Sequence, residues 1–264
     1  MRELGDLGDQ IFIGGEKGSD VKAVVVENLV KKFGDFTALR NVTFTVEEDE
    51  VFGLIGPNGA GKTTTFRIIA TLLLPTAGKV EVYGMDVVKN ADKVRRVLSY
   101  LPEDAGTYRN LTGYEYLRMI AEVYYGRGRE ADEVVELGVK LAGLGERIYD
   151  KMKTYSKGMK RRIQVARALM VRPRVAVLDE PTSGLDVIHA NTVRRIARDY
   201  AKSYGTTVLL SSHNMLEVEG VCDRVAIIDR GVIMAEGGVG ELLETYGARN
   251  LEEVFMKLAG GRDC

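Results

Sequence analysis

The chain has no tryptophan, only two cysteines and two histidines, and five prolines among 264 residues. Cys222 and Cys264 stand far apart, with neither a further cysteine nor a histidine at metal-ligand spacing. A disulfide scaffold and a structural zinc site are therefore excluded as organising devices, and a reducing compartment is the natural setting. Long apolar runs are missing too. Uncharged stretches such as Ile68 to Pro75 fall well short of the ~18 to 20 residues that span a bilayer, so the chain is not expected to cross a membrane. Residues 1–22 mix Arg2, Glu3, Asp6 and Asp9 with glycines and lack the basic start and apolar stretch of a signal peptide. They are read as a polar N-terminal extension without a function. An excess of one charge is also absent. The 37 basic and 38 acidic side chains leave a net charge of −1, which points to neither nucleic acid nor an acidic membrane surface.

What is present is a hydrophobic fraction of 45% and a charged fraction of 28%, enough for one large α/β domain, with or without a smaller helical insert. Short β-branched runs alternate with longer segments of helical period, the pattern of a mainly parallel sheet covered by helices. Ala23 to Glu27, Val42 to Val46 and Val80 to Tyr83 read as an N-terminal antiparallel section. Glu50 to Ile55, Val97 to Leu101, Val175 to Asp179, Thr207 to Ser211 and Val225 to Asp229 read as core strands, mostly apolar on both faces, as strands buried between helical layers are. Between Leu101 and Val175 only helical patterns occur, around Tyr114 to Tyr125 and Glu130 to Ala142. The expected organisation is a core over 23–239 with a helical sub-domain inserted at about 104–172. A hairpin near Asp229 to Gly231 and short helices at Glu241 to Tyr246 and Leu251 to Leu258 place a helical C-terminal extension at 240–264.

The chemistry begins at Gly56-Pro57-Asn58-Gly59-Ala60-Gly61-Lys62-Thr63, which fits G-x-x-x-x-G-K-[ST] between an apolar strand and an apolar helix carrying Phe66, Ile68, Ile69 and Leu72. Glycines let consecutive N–H groups turn inward around phosphate oxygens, and the helix start adds partial positive charge. The segment from Gly56 to Thr64 is thus the expected phosphate cradle of a P-loop NTPase. Lys62 reaches the β- and γ-phosphates and the Thr63 hydroxyl ligates Mg²⁺. Val175-Ala176-Val177-Leu178-Asp179-Glu180 is an apolar strand ending in two acids. Asp179 is placed to hold Mg²⁺ through water, and Glu180 to act on the attacking water. His213 follows another buried strand and emerges at the edge where such folds bind nucleotides, so a γ-phosphate contact is favoured there. His189 is read as an ordinary helix residue.

These residues resemble the ABC ATPase family. Tyr155-Ser156-Lys157-Gly158-Met159-Lys160-Arg161-Arg162 is similar to its signature motif, and Pro181-Thr182-Ser183-Gly184-Leu185-Asp186, directly after Glu180, to its D-loop. His213 matches its switch histidine, and the motifs are collinear from about Ala23 to Glu236. The resemblance implies an ATPase working as a head-to-tail dimer, with two ATP molecules sandwiched between the phosphate loop of one subunit and Ser156, Gly158 and Asp186 of the other. It also implies that Phe33 stacks on adenine, where the alternative is core packing. Glu103 stands where the family has glutamine: a carboxylate can ligate Mg²⁺ or water, but adds negative charge beside the triphosphate. Lys157 stands where the family has glycine, and either strengthens anion binding or faces solvent. Both departures resemble the subgroup serving ABC-2-type exporters. The implied setting is cytoplasmic, on the inner face of the membrane through a separate permease subunit. The alternative is a soluble ABC ATPase acting on translation or DNA, but the chain has neither a second cassette nor a long coiled-coil insertion. From Lys151 to Arg174 there are nine basic residues and no acidic one. With Tyr155 the only aromatic there and three of the basics, Lys160, Arg161 and Arg162, in the signature helix, a solvated helix face plus ATP-facing charge is favoured over nucleic-acid binding.

Overall fold

Pairing of apolar strands generates two sheets in the computed structural model, which describes residues 22–260. The expected extension over 1–22 thus lies, but for Lys22, outside the described residues, as does Cys264. The first sheet is antiparallel. It has the order β2-β1-β4-β5, from β1 (Lys22–Phe33), β2 (Phe36–Glu47), β4 (Ala77–Val82) and β5 (Met85–Asp86). The second has the order β10-β9-β3-β8-β7-β6, from β3 (Val51–Ile55), β6 (Leu98–Leu101), β7 (Val175–Leu178), β8 (Thr207–Ser212), β9 (Arg224–Asp229) and β10 (Val232–Gly238). All its pairings are parallel except that of the edge strand β10 with β9.

The two-residue period of the central strands divides the core in two. Phe52, Leu54, Val175, Val177 and Leu209 face the antiparallel sheet. There Phe44 and Phe52 stack at 5.4 Å between ring centroids, an arrangement worth about 0.5–1.5 kcal/mol beyond the area it buries. Val51, Ile55, Ala176, Leu178, Val208 and Leu210 face the helices on the other side. Every residue of β3, β7 and β8 is buried, which explains why these runs are apolar on both faces.

Helix α1 (Lys62–Ile69) fills the space between the sheets with Phe66, Ile68 and Ile69. It is shorter than its apolar pattern suggests. Thr71 turns into the left-handed region at φ 62 and Leu72, expected on the helix, is exposed. A short α2 (Ala91–Val97), with no counterpart in the sequence reading, leads into β6. Between β6 and β7 every regular element is helical: α3 (Gly113–Tyr125), α4 (Arg129–Ala142), two 3-10 turns and α5 (Lys157–Met170). Thr112 and Glu115 start α3 with a reciprocal capping box, which satisfies two of the N–H groups a helix start leaves free. The amphipathic α4 buries Val134, Val135 and Leu137 against this bundle. Then follow α6 (Val187–Tyr204), α7 (Met215–Val218), α8 (Val239–Thr245) and α9 (Leu251–Gly260), the last packed against α7. Among the described residues no helix is long and apolar enough to cross a membrane. The carboxyl ends of β3, β7 and β8 open side by side, and open α/β sheets bind their ligands at that edge.

Candidate functional site

The loop leaving β3 is shaped by two close approaches. At Gly56 a Cβ would lie 2.0 Å from the Ile228 carbonyl oxygen, and at Gly61, whose φ is 111°, 2.6 Å from the Leu39 side chain. Only glycine fits either position. Gly61 is also the N-cap of α1, where no side chain caps the helix. The N–H groups of Lys62, Thr63 and Thr64 in its first turn therefore have no intrahelical acceptor and sit at the positive end of the helix dipole. Such a start binds anions. The ammonium of the buried Lys62 folds under the loop, donating to the carbonyls of Gly56 at 2.7 Å and Pro57 at 3.1 Å.

Two acids meet this loop from β7. Asp179 is fully buried; its Oδ1 accepts from the hydroxyls of Ser211 at 2.7 Å and Thr63 at 3.2 Å, and its Oδ2 from the Tyr100 hydroxyl at 3.2 Å. Burial, followed by the negative charge of Asp179, pushes the Tyr100 hydroxyl up to about 12, so it stays a donor. Glu180 is also buried and holds a left-handed backbone at φ 45°, a conformation that costs a non-glycine residue about 1–3 kcal/mol. Its N–H donates to the Ser211 hydroxyl at 2.8 Å. One carboxylate oxygen lies 2.8 Å from His213 Nδ1, and the other 3.3 Å from Lys62 Nζ, an ion pair not aligned as a hydrogen bond. The result is a line of polar groups, Lys62, Glu180 and His213, at the ends of the parallel strands.

In front of them lies a cavity of about 440 Å³ lined by Phe33, Phe36, Ala38, Asn58, Gly59, Gly61, Lys62, Thr63, Thr64, Glu103 and Glu180, a size usual for small-molecule sites. Phe33 is 48% exposed at its mouth, so core packing is not its role. Gly56 and Ala60 do not line the cavity but back the loop, and the Ala60 carbonyl accepts from Gly231 N–H at 2.9 Å. Glu103 reaches the cavity, with its carboxylate accepting from Ser183 at 3.2 Å. The Thr63 hydroxyl and the Asp179 carboxylate offer adjoining hard oxygen donors. They fit a magnesium ion, which keeps waters and shares phosphate ligands instead of filling an all-protein cage. No cluster of three or more His, Cys, Asp or Glu able to hold a metal by itself occurs among the described residues.

Ser156, Gly158 and Asp186 do not line this cavity. Ser156 N-caps α5, accepting from Met159 N–H at 3.2 Å. Gly158 lies under the ring of His189, 2.2 Å from where its Cβ would stand. Asp186 N-caps α6 and its carboxylate meets His189 Nδ1 at 2.7 Å. The basic run from Lys151 to Arg174 also conceals a structural residue. Arg161 is buried and donates to the carbonyls of Pro102, Glu103, Asp179, Glu180 and Pro181, so it ties α5 to both acidic strand ends. Burial lowers its pKa, against the raising effect of Asp179 and Glu103. Phe36, Tyr100 and Ser211 have no role assigned from sequence, and Arg161 stands there only within the signature motif. Only Phe36 carried a local signal, as the second aromatic flanking the Gly34-Asp35 turn.

Comparison with known proteins agrees with this geometry. The family model described as ABC transporter matches residues 39–183. An uncharacterized ABC transporter ATP-binding protein of Bacillus subtilis is 40% identical over 211 residues, covering 80% of this chain and 68% of that protein. The daunorubicin/doxorubicin resistance ATP-binding protein of Streptomyces peucetius is 39% identical over 231 residues, covering 87% and 69%. Among solved structures, an ATP binding subunit of an ABC transporter superposes with a TM-score of 0.78 at 29% identity, covering 90% of this chain and 99% of that one. A dimeric ATP-binding cassette in a post-hydrolysis state with ADP and Pi superposes with a TM-score of 0.73 at 25% identity, covering 81% and 98%.

Proposed function

Since the chain belongs to the ABC transporter family and is an ATP-binding, ATP-hydrolysing subunit of it, we propose that it drives an exporter whose membrane-spanning part is a separate polypeptide. The observation that carries the ATPase chemistry is the meeting of Lys62, Thr63, Asp179, Glu180 and His213 around one cavity edge. The exporter assignment is supported by a relative named for daunorubicin/doxorubicin resistance and by the subgroup pattern of Glu103 and Lys157.

In this reading the free N–H groups at the start of α1 and the Lys62 ammonium hold the β- and γ-phosphates. Lys62 exchanges its bonds to Gly56 and Pro57 for phosphate oxygens, and Phe33 stacks on the adenine. Thr63 and, through water, Asp179 would hold a magnesium ion, which would supply positive charge to offset that developing on the transferred phosphoryl group. Glu103 stands ready as a further oxygen ligand or water holder. Glu180 orients the attacking water and takes up its proton. His213, held through Nδ1 by Glu180, presents its other ring edge to the γ-phosphate.

Ser156, Gly158 and Asp186 serve the nucleotide of a facing subunit in a head-to-tail dimer. Their absence from the lining of their own chain's cavity and the 79% and 78% exposure of the apolar Val187 and Ile188 directly after Asp186 support that arrangement. Closure of the dimer pulls on permease helices docked near Glu103 at the inner face of the membrane, and product release reopens it. The test is to purify the chain with the membrane protein that accompanies it and measure phosphate release. A permease that stimulates hydrolysis supports the reading; a ribosome or DNA as sole partner overturns it.

A further inference from the structure

Glu180 and His213 leave the sheet from neighbouring strands, and a single side chain ties together the loops that follow them. Glu217 lies on α7, four residues beyond His213. Its Oε2 accepts from the Thr182 hydroxyl at 3.0 Å, two residues beyond Glu180. Its Oε1 accepts from the Asn214 side-chain amide at 3.1 Å, next to His213, and its N–H donates back to Asn214 Oδ1 at 3.3 Å. Arg194 of α6 places a guanidinium nitrogen 2.7 Å from Oε2, an ion pair off the hydrogen-bond direction. Asn214 is fixed in turn by Ser212, through its N–H at 3.0 Å and its carbonyl at 3.2 Å.

We propose that Glu217 is a positioning residue that sets His213 against Glu180 by clamping the two loops. The proposal rests on the reading of Glu180 and His213 as the groups at the reacting phosphate. His213 is 44% exposed, and among the described residues its imidazole has one polar contact that orients it, the 2.8 Å approach to Glu180. Packing alone does not hold such a ring; the backbone that carries it must be held. On the Glu180 side, Arg161 already secures the carbonyls of Asp179, Glu180 and Pro181. On the His213 side the corresponding anchors are Ser212 and, through Asn214, Glu217. A carboxylate is suited to this position because it accepts from Thr182 and Asn214 with its two oxygens while its charge pairs with Arg194. Glu217 itself touches no residue of the phosphate loop, whose one link to this network is the Gly56 N–H donating to the Ser212 carbonyl at 3.2 Å within the sheet, so losing the clamp is expected to be felt mainly in turnover and little in nucleotide binding.

The experiment compares ATP hydrolysis by the full chain with its Glu217→Ala, Thr182→Val and Thr182→Ser variants and the Glu217→Ala/Thr182→Val double variant, each alongside nucleotide affinity and melting temperature. Glu217→Ala and Thr182→Val are expected to lower kcat about tenfold, as small displacements of reacting groups do, with KM for ATP unchanged within about twofold. Thr182→Ser keeps the hydroxyl and restores kcat to within about twofold of wild type, and the double variant falls no further than Glu217→Ala, since both break one link. Wild-type kcat in Glu217→Ala, an equal loss in Thr182→Ser, or losses that multiply in the double variant would overturn the clamp. Should Glu217→Ala not fold, Thr182→Val against Thr182→Ser decides alone. A wild-type chain that hydrolyses no ATP sinks the ATPase reading itself, an outcome separate from failure of the clamp.

Discussion

Lys62 and Glu180 face each other at 3.3 Å with each side chain only 5% exposed, so the cation proposed to bind phosphate and the base proposed to act on water share one buried pair. Removing either member leaves a charge stranded in the cavity wall.

Lys62→Ala is therefore expected to weaken ATP binding by about 100-fold or more, since a charge-assisted phosphate contact is lost. Titration calorimetry checks it. Unchanged affinity would remove the loop from Gly56 to Thr64 from its assigned role.

Glu180→Gln keeps the shape of the side chain while losing its basicity. Turnover is expected to drop by roughly 100-fold or more with ATP still bound, and the ATP-bound dimer accumulates on size-exclusion chromatography with light scattering. Near-normal phosphate release would show that another group handles the water.

Tyr100→Phe isolates the hydroxyl under Asp179. Its loss is expected to cost about 1–2 kcal/mol of folding stability, because Asp179 Oδ2 loses a buried donor. The tyrosine also has a pH signature. Its proton is held to about 12 in the folded chain, above the ordinary value of 10, so above pH 10 the unfolded chain releases it first. The stability it confers is complete below pH 10 and is lost as pH rises toward 12. Urea unfolding at pH 8 and pH 11 should show a smaller decline for Tyr100→Phe than for wild type; equal declines would refute the assignment.

Ser156→Ala removes the cap of α5, at a cost of about 1 kcal/mol. ATP binding to a single subunit should persist while hydrolysis falls at least about tenfold, because the facing γ-phosphate loses its contact. Full hydrolysis in this variant would rule out the head-to-tail arrangement.

Much of the architecture was legible because burial on both faces leaves an unmistakable apolar run, as in Val175 to Leu178 and Val208 to Leu210. The phosphate loop was legible because its backbone needs glycine at Gly56 and Gly61 for reasons of space. What the sequence concealed were residues whose roles arise across distant segments. Arg161 sat in a basic run that looked solvated, yet its guanidinium is buried under carbonyls up to 59 positions away. Tyr100 and Ser211 were hidden inside strands, and nothing in their neighbours shows that both point at Asp179. The end of α1 was misjudged because Leu72 extends the helical period past Thr71, where the backbone has already turned.

The contact of Gly56 with the Ile228 carbonyl has a thermodynamic corollary. A loop wedged against β9 on one side and bonded to Gly231 on the other has spent its conformational freedom during folding. Backbone held at Gly56 and Ala60 has less freedom left to lose on binding, so less of the binding free energy is consumed in ordering it. In the proposed dimer the remainder is free to draw together surfaces that lie far from the phosphates.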